Sequence, residues 1–111
     1  MKEELQDLID LLHERKCSCV LRNGEIYTFE RRGVEDLYDL LREQPGLLLG
    51  ADVADKVVGK GAAALMVLGR VRRVYADVLS EPAYGLLFQT GISVSYGRLV
   101  SAIRNRAGNG W

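Results

Sequence analysis

Val74-Tyr-Ala-Asp-Val-Leu79, running directly into Ser80-Glu-Pro-Ala-Tyr-Gly-Leu-Leu-Phe-Gln-Thr-Gly91, is the stretch on which the fold turns. Apart from Asp77 the first six residues are apolar and rich in β-branched and aromatic types, the pattern of a strand covered on both faces as in a parallel sheet. Ser80 is a natural helix N-cap, Glu81 and Pro82 suit a first turn, and Gly91 suits a helix end after Thr90. A doubly covered strand feeding a capped helix predicts a crossover unit and hence an α/β domain.

Upstream, residues 57–68 read VVGKGAAALMVL, apolar nearly all round, which predicts a buried helix with Gly69 at its C′ position. Gly59, Gly61 and Ala62 to Ala64 permit close packing on a sheet. Residues 47–58 fit a loop, a strand or an early helix start equally well, because short apolar runs alternate with Asp52, Asp55 and Lys56. Further back, Cys17-Ser-Cys-Val-Leu-Arg22, Asn23-Gly24 and Glu25-Ile-Tyr-Thr-Phe-Glu30 predict a β-hairpin, with Asn-Gly suited to a type I′ turn. An amphipathic helix is expected on each side of it. The first covers residues 2–15, with Leu5, Leu8, Ile9 and Leu12 inward; the second covers 34–42, with Val34, Leu37, Tyr38 and Leu41 inward, and Pro45-Gly46 stops it. Downstream, residues 92–96 alternate as a strand, Gly97 separates a short helix over 98–104, and the remaining tail reads as loose. The order helix, hairpin, helix, helix, strand, helix, strand, helix predicts a three-layer α/β/α domain with a mixed sheet.

At 111 residues the chain has room for one domain, 1–111, and 48% hydrophobic with 27% charged residues excludes disordered, collagenous and coiled-coil readings. No apolar run reaches the length of a membrane span, and the acidic, amphipathic start is unlike a signal peptide, so a cytoplasmic location without membrane contact is expected. Two cysteines and one histidine argue against a disulfide scaffold and an ordinary zinc site. No cofactor is expected. Net charge is zero, yet residues 1–55 carry −6 and residues 56–111 carry +6. Such halves can attract each other within the fold or across a homodimer, or the second half can face an anionic ligand. With no Lys/Arg run longer than two, nucleic acid is not an expected partner.

This order of elements resembles the cytidine-deaminase-like fold. In zinc-dependent deaminases a Pro-Cys-x-x-Cys stretch lies at a strand-to-helix junction, and here that junction reads Glu81-Pro82-Ala83-Tyr84-Gly85-Leu86, with Ala83 and Leu86 at the thiolate positions. The other deaminase motif, His-x-Glu or Cys-x-Glu, opens the preceding helix, where this chain has Lys56-Val-Val-Gly-Lys-Gly-Ala62. The resemblance therefore implies the fold and argues against zinc-hydroxide chemistry. Over Arg32-Gly-Val-Glu-Asp-Leu-Tyr-Asp-Leu-Leu41, Ala54-Asp-Lys-Val-Val-Gly-Lys-Gly-Ala-Ala-Ala64 and Val74-Tyr-Ala-Asp77 the chain also resembles the uncharacterised bacterial family DUF1893. That likeness implies no established activity.

Five residues are candidates for a ligand site in the former deaminase cleft: Asp55, Lys56, Lys60, Asp77 and Ser80. Gly59-Lys60-Gly61 lacks the spacing and the hydroxyl of a Walker loop, but lysines beside a helix N-terminus suit a small anionic or nucleotide-like ligand. Asp55-Lys56 can be read as a base and cation pair or as a cap with a solvated side chain. Asp77 either caps the next helix with Ser80 or faces a pocket. Cys17 and Cys19, placed on one strand face, are read as small buried hydrophobes, with a redox pair or an incomplete metal site with His13 as the sharper alternatives. The leading expectation is a small-anion binder without zinc catalysis. Its rival is a structural or regulatory oligomer.

Overall fold

The computed structural model describes residues 5–15, 17–30 and 34–102. A five-stranded sheet forms the middle layer, built from β1 (Cys19–Asn23), β2 (Glu25–Phe29), β3 (Asp52–Val58), β4 (Arg73–Ser80) and β5 (Ser93–Val100) in the order β2-β1-β3-β4-β5. The hairpin pairs antiparallel, and β1 pairs antiparallel with β3. Each later strand is reached through a helix and pairs parallel with its predecessor. Central β4 is thus flanked by parallel neighbours on both edges, as its apolar sequence requires.

One face is covered by α1 (Gln6–Glu14), which buries Leu8, Ile9 and Leu12 against Val20, Ala54 and Tyr75. The other carries α2 (Glu35–Glu43), the single turn α3 (Pro45–Leu48), α4 (Lys60–Gly69) and α5 (Glu81–Gln89) over a larger core that includes Leu21, Val53, Val74 and Met66. These layers make the expected three-layer mixed α/β/α arrangement.

The open segment 47–58 resolves into α3 followed by β3. Val57 and Val58, assigned from sequence to the buried helix, are the end of β3, and α4 starts only at Lys60. Ladder pairing with β4 at Val57↔Val78 and Val58↔Leu79 holds them extended. The hairpin forms, but not through a type I′ turn: only Gly24 has positive φ (78°), and the register Arg22↔Ile26 and Asn23↔Glu25 leaves Gly24 alone between the paired residues, one fewer than a two-residue loop has. Asn23 instead donates its side-chain amide to the carbonyls of Gly46, Leu47 and Leu49 at 3.0–3.1 Å, tying α3 to the hairpin. Pro45 opens α3 as well as ending α2. On α2 the buried residues are Leu37 and Leu40, while Tyr38 is 53% exposed, so the inward face is turned from the expected one.

The short helix expected over 98–104 is, as far as Val100, a continuation of β5, with Arg98↔Val78 and Leu99↔Leu79 in the ladder; residues from 103 on lie outside the described residues. Gly97 does not break the strand. A Cβ there would stand 3.0 Å from the Asp77 carbonyl oxygen and 3.2 Å from the Tyr75 hydroxyl, so the glycine admits a close approach.

Gly69 is likewise a packing glycine, not the C′ residue. Its absent Cβ would fall 2.7 Å from Leu48, and the left-handed position passes to Arg70 (φ 62°). Cys17 and Cys19 do not share a face. Cys17 precedes β1 and packs with α1, whereas Cys19 joins the opposite core.

Candidate functional site

The β3–α4 and β4–α5 junctions lie side by side, because Val58 and Leu79 are register partners in parallel strands. At the second junction Ser80 is buried and its Oγ accepts a hydrogen bond from the Ala83 N–H at 3.2 Å, a helix N-cap as the sequence suggests. At the first junction Gly59 occupies the N-cap of α4 in extended backbone, with no side-chain cap. Lys56 and Lys60 are exposed beside it, and neither forms an ion pair among the described residues. Ala62, Ala63 and Ala83 fill the space between the junctions and are buried. With Leu86 they offer no ligating atom, so the residues present do not fit a zinc ion here, and no zinc-dependent step follows from them. Among the described residues no three His, Cys, Asp or Glu side chains gather as a metal-binding group.

Asp77 lies on the other side of the sheet from the Ser80 cap. Its carboxylate is bridged by His13 Nε2, at 2.8 and 3.0 Å from the two oxygens, and accepts the Tyr75 hydroxyl at 2.8 Å. His13 lies in the last turn of α1, so the contact ties that helix to β4. Burial, followed by the adjacent Asp77 carboxylate, pushes the Tyr75 phenol up to about 12. Among the described residues the hydrogen-bond partner of His13 is Asp77. Nothing in the spacing of His13 and Asp77, 64 positions apart, could have shown the contact; only the packing of α1 across β4 does.

Asp55 points into the larger core opposite Cys19, its register partner on β1. Burial pushes its carboxyl up to about 7, against the downward pull of the Val57 and Lys56 N–H groups and the Cys19 thiol. Burial also drives the Cys19 thiol well above its ordinary value, with Asp55 adding to it. Asp55 is thus a core group, and its sequence neighbour Lys56 faces solvent: the two do not form a base and cation pair.

Sequence reasoning missed Asp52. In register it stands between Arg22 of β1 and Arg73 of β4. Arg73 donates two bonds to the carboxylate at 2.9 Å, Arg22 one at 2.9 Å, and Arg72 two longer ones at 3.3 and 3.4 Å. Burial alone would raise this carboxyl, but the hydrogen bonds from Arg73, Arg22 and Arg72 hold it well below the usual carboxylate range. Arg22 also pairs with Asp7 of α1. Through the ion pairs of Asp52 with Arg72 and Arg73 the acidic first part and the basic second part of the chain meet inside one molecule. The described surface also holds a cavity of about 420 Å³, at the opposite end of α4 and α5 from the candidate residues.

Fold and site together define a three-layer α/β protein built on a mixed five-stranded sheet. The profile of a domain of unknown function, DUF1893, matches residues 7–111, and the chain belongs to that family. A crystal structure of a DUF1893 family protein (TM1506) from Thermotoga maritima superposes with a TM-score of 0.83 at 24% identity, covering 97% of this chain and 74% of the other. RibD from Acinetobacter baumannii is similar at a TM-score of 0.54 and 15% identity, over 86% of this chain and 34% of that one. Both likenesses concern the fold. No curated protein matches. No helix among the described residues is long and apolar enough to cross a membrane.

Proposed function

We propose that the chain is a cytoplasmic, single-domain structural or regulatory module that works as a homo-oligomer, its copies meeting through the outer surface of α4 and α5. The carrying observation is that these two adjacent helices have one charged residue each, Lys60 and Glu81, and leave Leu68 and Phe88 66% and 65% exposed. By contrast α2 carries five charged residues in nine. A face made of Gly61, Ala64, Leu65, Leu68, Tyr84 and Phe88 offers no charge for a charged partner to read, and a second copy supplies a matching uncharged face by two-fold symmetry. Light scattering over a range of concentrations tests this. A mass above 12.3 kDa that falls to 12.3 kDa in a folded Leu68→Glu, Phe88→Glu variant is expected; a concentration-independent 12.3 kDa for the wild type refutes it.

A second reading keeps the small-anion site, reduced to what the junction offers. The N–H groups of the first turn of α4 have no side-chain cap, and Lys56 and Lys60 lie exposed beside them. Asp55, Asp77 and Ser80 support the surrounding architecture in this reading. Phosphate should then stabilise the wild type beyond chloride at matched ionic strength, and Lys60→Met should lose that excess while keeping its fold. An equal response in the two proteins removes the reading.

A further inference from the structure

The ends of α4 and α5 are built alike. In α4 the N–H of Arg70 bonds to Val67 O and that of Val71 to Met66 O; in α5 the N–H of Gly91 bonds to Phe88 O and that of Ile92 to Leu87 O. Both are Schellman ends, in which the residue after the helix turns left-handed. In α5 that residue is Gly91 (φ 81°); in α4 it is Arg70 (φ 62°), the one non-glycine residue with positive φ among those described. An L side chain is disfavoured there, and such outliers persist where something holds them or uses them.

The two ends flank the open cavity of about 420 Å³, lined by Val67, Arg70, Val71, Arg72, Thr90, Gly91 and Ile92. Its apolar lining is Val67, Val71 and Ile92, and its cations are Arg70 and Arg72. Several of the helix-end carbonyls already accept hydrogen bonds: Met66, Val67, Leu87 and Phe88 from the caps, and Leu86 and Leu87 from the Thr90 hydroxyl. Arg72 is a surplus cation. Asp52 already takes its short bonds from Arg73 and Arg22, leaving Arg72 the two longest, with its side chain 61% exposed. Arg70 forms no ion pair among the described residues.

We propose that this cavity binds a small organic anion, its phosphate or carboxylate held by the Arg70 and Arg72 guanidiniums and its apolar body resting on Val67, Val71 and Ile92. The site is separate from the junction at Lys56 and Lys60 and does not rest on the oligomer reading.

The test is a calorimetric titration with phenyl phosphate and, in parallel, inorganic phosphate. Phenyl phosphate is expected to bind at least tenfold more tightly than inorganic phosphate. Arg72→Gln should weaken it tenfold or more. Arg70→Gly should do the same with an unchanged or higher Tm, because glycine relieves the left-handed backbone while removing the charge; a residue present only to end the helix would give no change in affinity. Arg42→Gln, which removes an exposed cation of α2 outside both candidate sites, should leave binding within twofold. Affinity within twofold of wild type in both arginine variants overturns the proposal, as does an equal loss in Arg42→Gln.

Discussion

Asp52 and Asp55 lie three residues apart on one strand, both buried, and are driven in opposite directions. Asp52 sits in a row that reads Arg22–Asp52–Arg73 across three strands, and Asp55 in a row that reads Cys19–Asp55–Ala76. Burial disfavours the charged form of each carboxyl. In the first row guanidiniums outweigh that penalty, while in the second only two backbone N–H groups and a thiol oppose it, and the carboxyl rises to about 7. Register therefore decides which aspartate is an anion. One residue of slip in β3 against its neighbours would take both aspartates away from these partners.

The largest expected effect comes from emptying the first row. Asp52→Asn leaves Arg22 and Arg73 without their carboxylate in a largely buried site, and unfolding by denaturant at pH 7 should show a loss of about 3–5 kcal/mol. The sign with pH follows from a depressed folded-state value. The contribution of Asp52 is fully present above its ordinary value of 3.8 and is lost as pH falls below it, so the wild type should weaken steeply under pH 4 and the variant should not.

The second row predicts the reverse slope. Below pH 3.8 Asp55 is protonated in both the folded and the unfolded chain; between 3.8 and about 7 the folded chain holds a proton that the unfolded chain has released, so stability falls as pH rises and levels off above 7. Asp55→Asn removes this slope. It should match the wild type near pH 3.5 and exceed it by on the order of 2–4 kcal/mol at pH 8, read from denaturant midpoints across that range. A variant weaker than wild type at pH 8 would show that the amide cannot replace the protonated carboxyl in its contact with Cys19.

Two arginine variants sharpen the picture at finer scale. Arg73→Met removes two 2.9 Å charge-assisted bonds from a well-buried guanidinium and should cost roughly 2 kcal/mol. Arg72→Met removes the two longest bonds from a mostly exposed side chain and should cost less than about 1 kcal/mol. Equal losses in chemical denaturation would mean that Asp52 shares its charge evenly among the three, contrary to the distances.

These contrasts also mark what could be read from the amino-acid order. Elements announced by local chemistry were legible: the Ser80 cap, the apolar face of α1, the existence of the hairpin and the doubly covered β4 strand. Segments 52–58 and 98–100 were not, because their extended state depends on pairing with β4, a partner remote in sequence for the first and reached through α5 for the second. Glycine was misread for a related reason. Gly69 looked like a helix terminator, but what selects it is the approach of Leu48, a contact that local sequence does not encode. Of the candidate residues, Ser80 was understood in its local role. Asp55 and Asp77 were assigned to a cleft before it could be known which face of the sheet each would meet, and Asp52 was passed over because its strand was not recognised.

The Asn23 clasp carries a consequence for the chemical lifetime of the protein. An asparagine followed by glycine is open to attack on its side-chain carbonyl by the next backbone nitrogen, which closes a succinimide ring, expels ammonia and opens with water to aspartate or isoaspartate. Gly24 leaves that approach sterically clear. In the folded chain the Asn23 amide is held by the carbonyls of Gly46, Leu47 and Leu49, and a carboxylate in its place would be an acceptor facing three acceptors. Folding thus restrains the side chain against this form of ageing, and each molecule that ages while transiently unfolded returns with α3 released from the hairpin.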